Sequence, residues 1–162
     1  MDCWPLHDFK GYAMHLINKV SKTSHLSSSI KHEIKVYITK SLQGEHVSGS
    51  DIRCAVLHIY QILVKSNASW KMQTLFLSLT HISQVLYSSD TERCAKQILK
   101  FCNCCWLHHE LSVELFPQPS ETALHGINFH ALLTHAPVQQ EIICNRSINT
   151  ESEEQIFQKA CI

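Results

Sequence analysis

The chain has 162 residues, a formal net charge of zero, 44% hydrophobic residues and 17% charged residues. This length suffices for one domain that buries about two-thirds of its unfolded surface, and the apolar content excludes a disordered chain. The charge is uneven, because residues 1–80 carry nine Lys/Arg against five Asp/Glu and residues 81–162 carry five against nine. This balance excludes a stand-alone basic DNA-binding domain, so we expect any nucleic-acid contact only within a larger assembly.

The helical spacing of apolar residues predicts four helices in the first half of the chain. The first is capped by Asp8, and the second begins in the serines at 27–29. The third begins at Ser50 or Asp51, and Ser66-Asn67 separates it from the fourth. Their buried faces are predicted to include Phe9, Tyr12, Ala13, Leu16, Ile17, Val20, Ile30, Ile34, Tyr37, Ile38, Leu42, Ile52, Ala55, Val56, Ile59, Tyr60, Leu63, Met72, Leu75, Phe76, Leu79, Ile82 and Leu86.

The second half is predicted to hold shorter helices after a fifth one that begins at Asp90. The fifth buries Cys94, Ile98, Phe101, Cys102 and Cys105, and Pro117 and Pro119 end that region. A sixth opens at Ser120 and ends near Thr134, because Pro137 disfavours the α conformation of Ala136. Two more follow, over 137–145 and from a cap at Asn149 or Thr150. We therefore predict a single all-α domain over 1–162, an irregular bundle of seven to eight helices.

The chain has no apolar run of about eighteen residues, and no basic segment followed by an apolar core at its start. We therefore expect neither a membrane span nor a secretory signal. Eight cysteines in such a chain favour reduced thiols and metal binding over a disulfide framework. The expected location is intracellular, in the nucleus or the cytoplasm.

Four residues form a candidate zinc site: Cys102, Cys105, His130 and His135. Two thiolates and two imidazoles are a common tetrahedral zinc set. The two histidines are five residues apart, roughly 140° around an ideal helix, so they meet one metal only if the helix is interrupted between them. The alternative is structural, since cysteines are often buried and twelve histidines make a chance pair easy to find.

A second candidate is the acidic cluster of Glu151, Glu153 and Glu154. Acidic residues in the first turn of a helix complement its dipole without any catalytic role. A carboxylate of this cluster would hold Mg²⁺ only together with further carboxylates, as two-metal phosphoryl transfer requires. Asp8 is the other acidic candidate for such a site.

Several of these segments resemble DDE transposases with an RNase H-like fold. The ending Glu153-Glu154-Gln155-Ile156-Phe157 is similar to a segment near the end of hAT-type enzymes, which implies that Glu154 matches the last acidic residue of their catalytic site. Cys102-x2-Cys105 and His130-x4-His135 resemble the zinc pairs of Transib-like and CACTA-like transposases. Leu6-His7-Asp8-Phe9 is similar to a His-Asp-Leu stretch of some of these elements.

The resemblance implies the helical insertion and C-terminal end of a larger transposase-like domain. The strands that carry the first catalytic Asp have no counterpart before Asp2, and an isolated Glu154 cannot position two metal ions. We therefore expect a transposase-derived domain that is catalytically inactive alone and acts in DNA transactions or interactions, with structural zinc. The alternative is a metal-free helical scaffold that binds another protein. A Mg²⁺-dependent nuclease using Asp8 and Glu154 is the third hypothesis.

Overall fold

The computed structural model describes residues 5–42, 47–88, 94–117 and 126–142, and the structural statements below concern these ranges. Within them the chain forms six helices and no strand, which confirms the all-α prediction but gives fewer helices than the seven to eight expected. The helices are α1 (Pro5–Val20), α2 (Ser28–Ser41), α3 (Gly49–Lys65), α4 (Trp70–Leu86), α5 (Ala95–Leu115) and α6, which consists of Ile127–His130, a π-helical turn at Ala131–His135, and Ala136–Ile142.

Serine side chains begin three of these helices. Ser27 and Ser69 accept hydrogen bonds from the backbone N–H groups of Ile30 and Met72. Ser48 forms a capping box with Asp51, so α3 begins at Gly49, slightly before the predicted Ser50 or Asp51. Each cap gives a backbone donor in the first turn a partner that the helix itself cannot provide.

Two predicted helix starts differ from the structure. Asp8 is not the cap of α1, because the helix already begins at Pro5 and Asp8 lies in its first turn, where a carboxylate complements the helix dipole. The predicted start of the fifth helix at Asp90 lies outside the described residues. Within the described residues, α5 begins at Ala95. The predicted starts at Ser120, Asn149 and Thr150 also lie outside.

The core lies where α1, α3, α4 and α5 meet. α4 packs most extensively on α5 and on α3, while α2 packs on α3, and α6 packs against both α1 and α5. The predicted apolar faces of the first four helices are buried, with Tyr37, Ile38 and Tyr60 at the edge of the core. Cys94 is exposed, contrary to the prediction, because it precedes α5 as its N-terminal cap rather than lying on its inner face.

α1 and α6 approach closely at Gly11. A Cβ atom built at this position would clash with Nδ2 of Asn128. Glycine therefore fits where any larger residue would require the Asn128 side chain to move. No helix of the described ranges is both long enough and apolar enough to cross a membrane.

The π-helical turn of α6 corrects the predicted break near Thr134. Ala136 keeps α-helical dihedral angles (φ −59°, ψ −40°), and its N–H donates to the carbonyl of Ala131, five residues back. Pro137 has no N–H to donate to Leu133, and its ring would crowd that carbonyl in a regular α-helix. The wider turn accommodates the proline without ending the helix, so one continuous helix replaces the two that were predicted.

Candidate functional site

The π turn brings together two of the four predicted zinc ligands. The rings of His130 and His135 lie with centroids 4.8 Å apart and planes at 87°, and both side chains are exposed. Nδ1 of His130 also lies 3.5 Å from the Thr134 hydroxyl. Two imidazoles bound to one tetrahedral zinc, at Zn–N distances near 2 Å, would have centroids about 5 Å apart. The spacing of the pair is therefore compatible with a shared metal ion.

The two predicted cysteine ligands lie on α5, with different exposure. Cys102 is half-buried and Cys105 is buried in the core. Burial raises the pKa of the Cys105 thiol, and the neighbouring Cys102 and Cys104 raise it further, which disfavours the thiolate that binds zinc. No group of three or more His, Cys, Asp or Glu side chains in the described ranges is arranged to hold a metal ion. Zinc binding by all four residues stays a prediction.

Of the acidic candidates, the described residues include Asp8. Glu151, Glu153 and Glu154 lie outside the described residues, and Asp8 is a half-buried residue in the first turn of α1. The hypothesis of a nuclease site at Asp8 and Glu154 therefore stays a prediction.

Sequence reasoning missed a buried polar network between α1, α4 and α5. The Tyr12 hydroxyl lies 2.7 Å from Nε2 of His108 and 3.1 Å from Oγ of Ser112. On its other side, Nδ1 of His108 lies 2.8 Å from Oγ of Ser78 and 3.0 Å from the Leu75 carbonyl. His108 and Ser112 are both completely buried.

The partners of His108 fix its tautomer. The Leu75 carbonyl only accepts hydrogen bonds, and the Ser78 hydroxyl donates to that same carbonyl at 2.8 Å. Nδ1 of His108 therefore carries the proton and donates, which leaves Nε2 as the acceptor for the Tyr12 hydroxyl. The Tyr12 oxygen can in turn accept from Ser112, so every member of the network has a partner.

Burial keeps both ring systems of the network neutral. Desolvation lowers the pKa of His108 to about 3, although its hydrogen bond to Leu75 acts in the opposite direction. Desolvation also raises the pKa of Tyr12 far above its usual range, against a smaller opposing effect of Ser112. Because His108 has no exposed surface, no substrate reaches its imidazole, and the network is structural rather than catalytic.

A signal for this network is present in the sequence. His108 and Ser112 continue the helical spacing of Phe101, Cys105 and Leu115, all of which are buried. Polar residues at core positions of an amphipathic helix indicate a hydrogen-bonded cluster, since unpaired polar groups in a core are costly. Tyr12 provides the matching group on the apolar stripe of α1.

The outward face of α5 exposes several large apolar side chains between charged and polar ones. We define this face by Lys96, Leu99, Lys100, Asn103, Trp106, Leu107, Glu110, Val113 and Glu114. Leu99 is 62% exposed and Trp106 is 67% exposed, and Leu107 and Val113 are also exposed. An open groove of about 630 Å³ lies along its N-terminal half, lined among others by Leu99, Lys100, Cys104 and Leu107. Apolar side chains clustered on one exposed surface are typical of binding sites.

One more large apolar side chain lies near the C-terminal end of this face. Trp70, the first residue of α4, is 65% exposed. Nζ of Lys71 lies 5.7 Å from the Trp70 ring and forms an ion pair with Glu114 of α5. The indole is therefore close to the end of α5 that is opposite the groove.

No family model, no curated protein and no solved structure matches this chain. The resemblance to transposases therefore depends on the short motifs alone.

Proposed function

We propose that this chain is a helical protein-interaction domain, and that it binds its partner through the outward face of α5. The observation that carries the proposal is the exposure of Trp106 together with Leu99 on one side of the helix. Single apolar residues are common on protein surfaces, but several of them on one helix face keep a continuous apolar area in unfavourable contact with water, and binding of a partner removes that contact. Tryptophan is also enriched among the residues that contribute most to binding energy.

The interaction proposal is tested by site-directed photo-crosslinking in cells. A photoreactive amino acid replaces Leu99 or Val113 on the α5 face, and the matched control replaces Asn18 on the exposed side of α1. We expect a discrete crosslinked species from the α5 positions and none from the control. Absence of any such species at both α5 positions would contradict the proposal.

A second candidate is a transposase-derived domain with structural zinc, active in DNA transactions only as part of a larger intracellular assembly. The proximity of the His130 and His135 rings supports the metal part of this candidate. Cys102 and Cys105 would complete the ligand set if α5 rearranged to expose Cys105.

The zinc candidate is tested by elemental analysis of protein purified without chelator. One bound zinc per chain is expected, and it should be lost in both the His130→Ala and the Cys102→Ser variants. Retention of zinc in Cys102→Ser would limit the site to the histidines, and metal-free folded protein would remove the zinc proposal. DNA affinity that falls with rising salt would separately support the nucleic-acid role.

A further inference from the structure

We infer that the partner of the α5 face is a second copy of this chain, bound with its α5 antiparallel. The inference rests on the proposed interaction function and adds the identity of the partner. Such a pair would be a two-fold symmetric dimer, in which the same surface of each copy contacts the other.

The charges on the α5 face are arranged for antiparallel pairing. Lys96 and Glu114 lie nine residues before and after Cys105, and Lys100 and Glu110 lie five residues before and after it. When two α5 helices run in opposite directions with their outward faces in contact, and the two-fold axis lies level with Cys105 along the helix, each lysine of one copy faces a glutamate of the other. A parallel pair would place lysine against lysine and glutamate against glutamate, which is repulsive.

The charged and apolar residues lie on the same side of the helix. At 3.6 residues per turn, the residues of the α5 face fall within an arc of roughly 140°, opposite the buried arc that contains Phe101, Cys105 and His108. The four charged side chains are exposed, so they can pair between copies without prior rearrangement of the core. Glu114 would then be shared between Lys71 of its own chain and Lys96 of the other copy.

Trp106 lies one residue from the centre of this arrangement. The two-fold axis therefore brings the Trp106 side chains of both copies together, with Asn103 and Leu107 beside them. A large aromatic residue at the centre of a contact, surrounded by polar residues at its rim, is the usual arrangement of a strong interface.

The groove and Trp70 complement each other across the same axis. The groove lies at the N-terminal half of α5, and Trp70 lies near its C-terminal end, beside Lys71 and Glu114. Antiparallel pairing therefore brings the Trp70 indole of each copy to the groove of the other. The open groove, of about 630 Å³, has room for an indole ring, and the contact would extend the interface beyond the two helices.

The experiment measures the mass of the full chain by sedimentation equilibrium as its concentration is varied. We expect a reversible dimer of the 18.5 kDa chain. One variant carries Lys96→Glu with Lys100→Glu, and a second carries Glu110→Lys with Glu114→Lys. Each should dimerise at least about ten-fold more weakly, because like charges then face each other. An equimolar mixture should recover the dimer, because the all-acidic face of one variant complements the all-basic face of the other.

The matched control reverses charges away from α5, with Lys35→Glu and Lys40→Glu on the exposed side of α2. It should dimerise as the unchanged chain does. Trp106→Ser provides a variant that keeps all charges, and it should weaken the dimer while circular dichroism shows the helices intact.

Two outcomes would overturn the inference. One is a chain that stays monomeric at the highest concentration, and the other is a mixture of the two charge variants that does not associate. Photo-crosslinking from Leu99 to a different protein would reject the self-association and leave the interaction function standing. Absence of any crosslinked species, with a monomeric chain, would reject both.

Discussion

At the scale of single residues, the buried network makes His108 sensitive to acid. The pKa of His108 is about 3 in the folded chain, against an ordinary value of 6.5. Below pH 6.5 the unfolded chain therefore binds a proton at this position that the folded chain does not bind. Stability falls as the pH drops from about 6.5 towards 3, by up to about 1.4 kcal/mol per pH unit from His108 alone.

The measurement is the free energy of unfolding in urea at several pH values between 7 and 4. His108→Gln should remove this contribution, so that the difference in stability between the two proteins shrinks as the pH falls. His15→Gln changes an exposed histidine of α1 and should leave the slope unchanged. An equally steep acid dependence in His108→Gln would show that another group is responsible.

The same network predicts the effect of removing one hydroxyl group. Tyr12→Phe leaves Nε2 of His108 without a donor in a fully buried site and should cost about 1–3 kcal/mol in unfolding free energy. Tyr60→Phe alters a half-buried tyrosine at the edge of the core and should stay within about 0.5 kcal/mol. Equal effects of the two changes in urea unfolding would argue against the network as a source of stability.

At the scale of elements, Pro137 maintains the spacing of the histidine pair. Replacement by alanine restores a backbone donor and allows α6 to become a regular α-helix, in which His130 and His135 point roughly 140° apart. We expect Pro137→Ala to raise helix stability. Under the zinc proposal it should also weaken the affinity for added Zn²⁺, measured by isothermal titration calorimetry. Val138→Ala, at an exposed position next to the proline, is the control and should retain the affinity of the unchanged chain.

The sequence predicted the helices and their buried faces well, because apolar periodicity reports directly on burial. It failed at α6, since the rule that a proline disfavours the α conformation before it did not account for a π turn. The π turn also brings the rings of His130 and His135 together. The sequence had predicted such a pair only if the helix ended between the two histidines. The Tyr12–His108 contact joins residues 96 positions apart, and no local pattern specifies which distant groups will meet.

At the scale of the whole molecule, self-association would couple stability to concentration. A ligand that binds only the folded state raises the melting temperature, and for a homodimer that ligand is the chain itself. We expect the melting temperature to rise by a few degrees when the protein concentration is raised a hundred-fold, and to rise less over the same range for Trp106→Ser. A melting temperature independent of concentration in the unchanged chain would contradict dimerisation.

α5 is apolar towards the solvent at Leu99 and Trp106, and polar towards the core at His108 and Ser112. Apolar residues therefore lie on both sides of this helix, since Phe101, Cys105, Leu111 and Leu115 are buried on the inward side. Burial of apolar area favours the observed side less strongly than it would in a helix with a single apolar face. The directional hydrogen bonds of His108 add to that preference, because rotation about the helix axis would leave its imidazole and the Tyr12 hydroxyl without partners. Replacement of the polar side chains of this network by apolar ones of similar size should thus raise the melting temperature. It should also allow α5 to pack in more than one rotation about its own axis.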